Sequence, residues 1–146
     1  MTTEEETITS YYDNRPVKIR KNLDCCTANV VYLLQCTLHR TQYCGSSVNF
    51  KGRFSKHKCD MVKAKGEDCG FCKHWAQYHK DSPDDLSSLK IVFLDQIDDP
   101  GPKEEDFPYL KKIEGKWMAN LGCLTSMDRN HGLNIRDDAR PKQNWN

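Results

Sequence analysis

A chain of 146 residues holds one domain with its own core rather than two, and with 37% hydrophobic and 29% charged residues and no apolar run near the ~20 residues of a membrane span it is not a transmembrane protein. The opening Met1-Thr-Thr-Glu-Glu-Glu has neither a basic n-region nor an apolar h-region, so an intracellular location is expected, nuclear in a eukaryote, and the 8 cysteines read as metal ligands or buried thiols. The net charge of +1 predicts no polyanionic partner by itself but conceals opposite blocks along the chain.

Residues 1–22 are polar with few aliphatics and read as an N-terminal extension. Asn29-Val-Val-Tyr-Leu-Leu-Gln-Cys36 is rich in strand formers and is followed, after Thr37-Leu-His-Arg40, by Thr41-Gln-Tyr-Cys-Gly45, which predicts a β-hairpin. If Cys36 stands opposite Thr41, then Tyr32 stands opposite Gly45 with Tyr43 diagonal to it on the same face; a one-residue slip separates the two phenols. A helix is expected from a cap near Ser46 or Ser47 to about Lys65, with Phe50, Phe54, His57 and Met61 forming its apolar stripe and Arg53 at the edge of that stripe, one turn before His57. Residues 47–80 are basic by about five charges, and Lys51, Lys56, Lys58 and Lys63 are candidate phosphate contacts.

A second short helix is expected over Cys72 to Lys80 and a strand over Ser88 to Asp95, the latter inside an acidic block that runs from Asp81 to Asp106. The last helix starts near Pro108, which suits a first-turn position, and stops at Gly122, a natural C′ residue. Leu110, Ile113, Trp117 and Leu121 form its apolar face, and Glu114 falls inside the buried arc between Leu110 and Met118. An unpaired buried carboxylate costs several kcal/mol, so Glu114 needs a cation, a metal or strong donors beside it. From about Arg140 the chain reads as a tail, which leaves 23–139 as the domain.

Tyr32, Tyr43, Arg53, His57 and Glu114 are five groups of complementary chemistry sent to one core, a set able to hydrolyse a phosphodiester. They also carry a resemblance. Val30-Val31-Tyr32 and Tyr43-Cys44-Gly45 stand as two triplets, Ser47, Phe50, Arg53 and His57 follow in the order Gly-x-Ser-x-x-Phe-x-x-Arg-x-x-x-His, and Glu114 and Gly132-Leu133-Asn134 complete the set. In this the chain resembles the GIY-YIG nucleases, with Val30 in place of the first Gly and Cys44 in place of the central Ile. Cys26-x-x-Asn29-Val-Val-Tyr-Leu-Leu-x-Cys36, with His57 and His74-Trp75, is most similar to the endonuclease domains of Penelope-like retroelements.

The resemblance implies an α+β fold, a small three-stranded antiparallel sheet flanked by helices. It implies a divalent-metal-dependent DNA endonuclease, nicking or cutting double-stranded DNA, with association or fusion to other mobile-element proteins. Glu114 would hold one Mg²⁺ or Mn²⁺, Arg53 would pair with the scissile phosphate, Tyr32 or Tyr43 would be the base assisted by His57, and Asn134 would fix the geometry of the metal site.

Cys69-Gly-Phe-Cys72-Lys-His74 has the spacing of a zinc half-site that Cys26 and Cys36 are candidates to complete. The Penelope-type resemblance implies instead a Cys-Cys-His-His site, one assignment being Cys26, Cys36, His74 and His79. Of the adjacent Cys25 and Cys26, only one can be a ligand if the segment is extended, and Cys44, Cys59 and Cys123 read as buried thiols. Two other classes remain open. A nuclease-derived nucleic-acid-binding module would bind DNA without turnover, and a zinc-stabilised protein-interaction domain would bind zinc without salt-dependent affinity for DNA.

Overall fold

The computed structural model describes residues 5–20, 23, 26–63 and 69–134; Cys25 and the tail from Arg140 lie outside them. In chain order the elements are β1 (Glu5–Ser10), β2 (Arg15–Arg20), β3 (Ala28–Cys36), β4 (Thr41–Asn49), α1 (Phe50–Val62), α2 (Gly70–Tyr78), β5 (Leu89–Gln96) and α3 (Pro108–Leu121). Strands β4, β3 and β5 form an antiparallel sheet in that order, and β1 pairs with β2 in a separate hairpin. This is the α+β architecture expected from the sequence.

The central strand β3 is a near-continuous apolar run because both of its faces are covered. Val31 and Leu33 turn towards α3 and the β1–β2 hairpin, in a core with Cys44, Val92, Leu110, Met118 and Leu121. Val30, Tyr32, Leu34 and Cys36 turn the other way, into a second core with Phe50, Met61, Phe71, Cys72 and Trp75 from α1 and α2. The register is the one that keeps the phenols together: Cys36 stands opposite Thr41, Tyr32 opposite Gly45 and Leu34 opposite Tyr43. The Thr37–Arg40 connection closes without glycine, Arg40 taking the left-handed conformation at φ 55° while its N–H returns to the Cys36 carbonyl.

Two boundaries differ from expectation. Ser46 and Ser47 do not cap α1, because they remain in β4 opposite Val31 and Val30. The strand continues to Asn49, whose side-chain oxygen accepts the Gly52 N–H and starts the helix at Phe50. The N-terminal segment is ordered where described. Ile8 and Ile19 enter the α3-side core, the Ser10 hydroxyl donates to the Leu121 carbonyl at 2.8 Å, and the Gln35 amide donates to the Thr9 carbonyl at 2.9 Å. After α3, Gly122 at φ 67° ends the helix, and the chain returns along the outer edge of β4. There Gln42 receives the Leu133 N–H on its backbone carbonyl at 2.9 Å and donates its own N–H to His131 at 2.8 Å. No helix among the described residues is long and apolar enough to cross a membrane.

Candidate functional site

Tyr32 is fully buried on the α1 side of the sheet, and the residue opposite it explains how it fits. A Cβ on Gly45 would lie 2.6 Å from the Tyr32 hydroxyl oxygen and 2.7 Å from its ring carbon Cζ, so the phenol lies across the glycine and any side chain there would displace it. The hydroxyl meets His57 Nε2 at 3.0 Å, His57 being presented by the buried stripe of α1. Tyr43 packs on the same imidazole, ring centroids 6.2 Å apart, and is half-buried where Tyr32 is enclosed. Burial drives the Tyr32 phenol far above its ordinary range; the Arg53 guanidinium pulls it down and the Glu114 carboxylate pushes it up further. Arg53 itself is exposed at the edge of α1.

Glu114 sits where the helical wheel put it, 2% exposed, but it approaches from the opposite side of the sheet to Tyr32 and His57. The Ser46 hydroxyl donates to its carboxylate, and the Lys111 ammonium lies 3.8 Å from the same oxygen. The buried charge therefore has both a cation and a donor. The two sides meet at β4, where Gly45 carries the phenol and Ser46 the carboxylate. Asn134 braces this point: its Oδ1 accepts the Cys44 N–H at 2.8 Å and its Nδ2 donates to the Cys44 carbonyl at 2.9 Å, closing a two-bond clamp on the strand between the Tyr43 and Gly45 positions. The structure thus gathers Tyr32, Tyr43, His57 and Arg53 on one face and sets Glu114 and Asn134 behind the same stretch of strand.

Among the described residues, the cysteines and histidines close enough to share an ion form two groups rather than one. Cys36 at the end of β3, His39 in the hairpin connection, and His74 and His79 of α2 and its C-cap bring one ligand atom each to within 4.8 Å of one another. Cys36 Sγ lies 3.4 Å from both His39 Nδ1 and His79 Nε2. With Zn–S near 2.3 Å and Zn–N near 2.0 Å, a tetrahedral site spaces its ligand atoms by about 3.3–3.8 Å, so this set needs little adjustment to close on an ion. Burial and the neighbouring imidazoles hold His74 down at about 4, and the same causes lower His79, so both are neutral at ordinary pH, as metal ligands must be.

His57, Cys69 and Cys72 form the second group, all buried, again with ligand atoms within 4.8 Å. Cys69 is held well below the ordinary thiol range by hydrogen bonding with Cys72 and His57, while Cys72 is pushed up. Gly70 between them is required because a Cβ there would collide with the Leu133 carbonyl, 1.8 Å away.

These groupings separate the zinc ligands expected together. Cys36 and His74 belong to one set, Cys69 and Cys72 to the other, and Cys26 is exposed ahead of β3 and belongs to neither. His39 is not among the ligands expected from the sequence, although Cys36-x-x-His39 is a readable spacing; Cys69-x-x-Cys72 is the stronger local signal. Ser46 and Lys111 gave no signal because only the fold brings them to Glu114. Cys44 and Cys123 are buried, whereas Cys59 is exposed on α1, a correction that follows from its place outside the helix's apolar stripe. Lys51, Lys56, Lys58 and Lys63 are all exposed around α1, Lys56 being paired with Asp60 at 3.3 Å.

Residues 28–94 match the family model of the GIY-YIG catalytic domain. The match runs from β3 through β5 and covers somewhat under half of the chain, with the hairpin phenols, Arg53, His57 and all members of both Cys/His groups inside it and Glu114 and Asn134 beyond it. Comparisons with curated proteins and with solved structures return no match.

Proposed function

We propose that this protein is a divalent-metal-dependent endonuclease that hydrolyses phosphodiester bonds of double-stranded DNA. The observation that carries the reading is the hydrogen bond between Tyr32 of the hairpin and His57 of α1, both within the matched segment, with Arg53 and Glu114 both acting on Tyr32. In hydrolysis a water attacks phosphorus, its proton passes to a base, one P–O bond breaks, and the leaving oxygen collects a proton. Tyr43, half-buried with solvent access, would take the first proton as it gives its own hydroxyl proton to solvent, while enclosed Tyr32 and His57 form a hydrogen-bonded support behind it. Arg53, exposed beside them, would pair with the phosphate oxygens, its planar fork matching their geometry. The lysines of α1 would contact the flanking backbone.

Glu114 offers the hard oxygen donor that Mg²⁺ or Mn²⁺ requires, in contrast to the thiols and imidazoles of the two other groups. Such an ion, when bound, lowers the pKa of a ligated water and neutralises charge on the phosphate. The Cys36, His39, His74 and His79 group would hold a structural Zn²⁺ that ties the hairpin connection to α2. This one-cysteine, three-histidine set departs from the Cys-Cys-His-His site that the likeness to the endonuclease domains of Penelope-like retroelements implies, His39 taking the place assigned to Cys26; that finer likeness, with a mobile-element setting and a nuclear site of action, rests on the motif residues of the hairpin and α1.

Incubation of supercoiled plasmid with Mg²⁺ or Mn²⁺ tests the reading. Nicked or linear product that disappears in Glu114→Gln is expected; intact plasmid with both metals overturns it. A second reading, a nuclease-derived module that binds DNA without turnover, is favoured by one observation, the engagement of Glu114 with Lys111 and Ser46. It predicts salt-dependent DNA binding with no product.

A further inference from the structure

The group of His57, Cys69 and Cys72 lies apart from the Cys36, His39, His74 and His79 set, and of its three members only His57 enters the hydrolytic reading. We propose that His57 Nδ1, Cys69 Sγ and Cys72 Sγ form a second zinc site, whose occupation fixes His57 in the tautomer that donates from Nε2 to the Tyr32 hydroxyl. The two ring nitrogens of His57 face different partners: Nε2 lies 3.0 Å from the Tyr32 hydroxyl and Nδ1 lies 3.8 Å from Cys72 Sγ. That second separation is a few tenths of an ångström beyond the roughly 3.5 Å between a nitrogen and a sulfur ligand on tetrahedral zinc. Cys69 stands at the N-cap of α2 and Cys72 one turn in, so the short Cys-x-x-Cys spacing presents both sulfurs to the buried face of α1.

A Cys-x-x-Cys pair at a helix start also suits a disulfide, and the imidazole decides between them. A disulfide has no use for a third donor, whereas two thiolates and an imidazole converging in one buried space, with Phe71 and Trp75 in the surrounding core, make a borderline-soft ligand set for Zn²⁺. The fourth position is left for water. Once Nδ1 is ligated, the imidazole keeps its proton on Nε2, and Tyr32 becomes the acceptor of that hydrogen bond with its own proton directed elsewhere. A neutral imidazole free of metal can adopt either tautomer. The site would thus link the packing of α1 on α2 to the orientation of the buried phenol, and it stands whether or not the protein cleaves DNA.

Metal analysis of the reduced, purified chain tests this without any cleavage assay. Two zinc ions per chain are expected, falling to one in Cys69→Ser/Cys72→Ser and to one in His74→Ala/His79→Ala. Because either double variant could fail to fold, cadmium NMR on the unsubstituted protein supplies a second reading: two signals, one in the two-thiolate range and one in the single-thiolate range. In the zinc form, nitrogen-15 NMR is expected to show His57 protonated at Nε2. A single bound ion that vanishes with His74 and His79, or a mass deficit of two hydrogens locating a Cys69–Cys72 disulfide in the reduced preparation, overturns the proposal.

Discussion

The two faces of the sheet bury polar groups in opposite ways. On the α3 face Gln42 donates to the Leu121 carbonyl at 2.7 Å and accepts from the Tyr11 N–H at 3.1 Å, Ser10 and Asn134 bond to backbone, and Glu114 has Ser46 and Lys111. Oxygen and nitrogen groups there find partners among one another and the backbone. On the α1 and α2 face, beside the hydroxyls of Tyr32, Thr41 and Ser47, the buried polar groups include thiols and imidazoles gathered in a four and a three and joined by long sulfur contacts of 3.4–3.8 Å. Such contacts are weak, and imidazoles this close repel when charged. One face pairs oxygen and nitrogen groups with one another, whereas the other gathers sulfur and imidazole groups in sets suited to a metal ion.

Metal removal should therefore break one face and spare the other, and it carries the largest expected effect. Stripping zinc with a chelator, or Cys36→Ser with His79→Ala, should lower unfolding stability by several kcal/mol, because a site assembled only in the folded chain contributes its binding energy to folding. Hydrogen exchange would show α2 and the hairpin connection losing protection while α3 and its partners retain theirs; uniform loss would contradict the division.

The next effect in size falls on catalysis from the other face. Glu114→Gln keeps the side chain's shape but removes the hard anionic donor, and plasmid cleavage should fall by roughly 10³-fold or more, about 4 kcal/mol, with zinc content unchanged. A variant that retains full cleavage would remove Glu114 from the site. Gly45→Ala acts where the faces meet. Its methyl would force the Tyr32 ring away from β4, so a destabilisation of about 1–3 kcal/mol is expected from overpacking, along with loss of the Tyr32–His57 hydrogen bond.

Acid provides a gentler test confined to the α2 side. In the metal-free protein His74 takes up a proton only near about 4, whereas in the unfolded chain it does so near ~6.5. Between those values the unfolded state binds more protons, so the stability that keeps His74 neutral is complete above ~6.5 and is lost as pH falls towards 4. His79 shifts in the same direction. Urea midpoints followed from neutral pH downwards should drop across this window, and His74→Gln should flatten the drop.

What was legible in the sequence follows the same division. Pairing register, the stripe of α1 and the inward turn of Glu114 are products of period and spacing along single elements, and each was readable because one residue step would send the side chain to the wrong face. The β1–β2 hairpin was not, since its alternation is short and its apolar content slight, so that packing on α3 rather than local pattern stabilises it. The metal groups lay between. Their local spacings are in the chain, but Cys36 joins His74 and Cys72 joins His57 only because α2 crosses behind both β3 and α1, a fact of tertiary contact that no single element encodes.

The smallest expected effect concerns whether the carboxylate of α3 is a finished ion pair or a ligand in waiting. Lys111 stands 3.8 Å from Glu114, near the limit of an ion pair, and the Ser46 hydroxyl stays on the carboxylate in Lys111→Met, so the loss of stability should be about 1 kcal/mol, below the several kcal/mol of a fully unpaired buried charge. Its consequence for metal binding has a definite sign. The ammonium and a divalent cation compete for one buried carboxylate, and removing the former takes one partner from that charge and raises its need for the latter. Half-saturation of cleavage by Mg²⁺ should therefore move to lower concentration in Lys111→Met, by a few-fold, at unchanged zinc content. A shift to higher concentration would mean that Lys111 supports the site rather than guarding it, and that the carboxylate completes the α3 face as the amides and hydroxyls around it do.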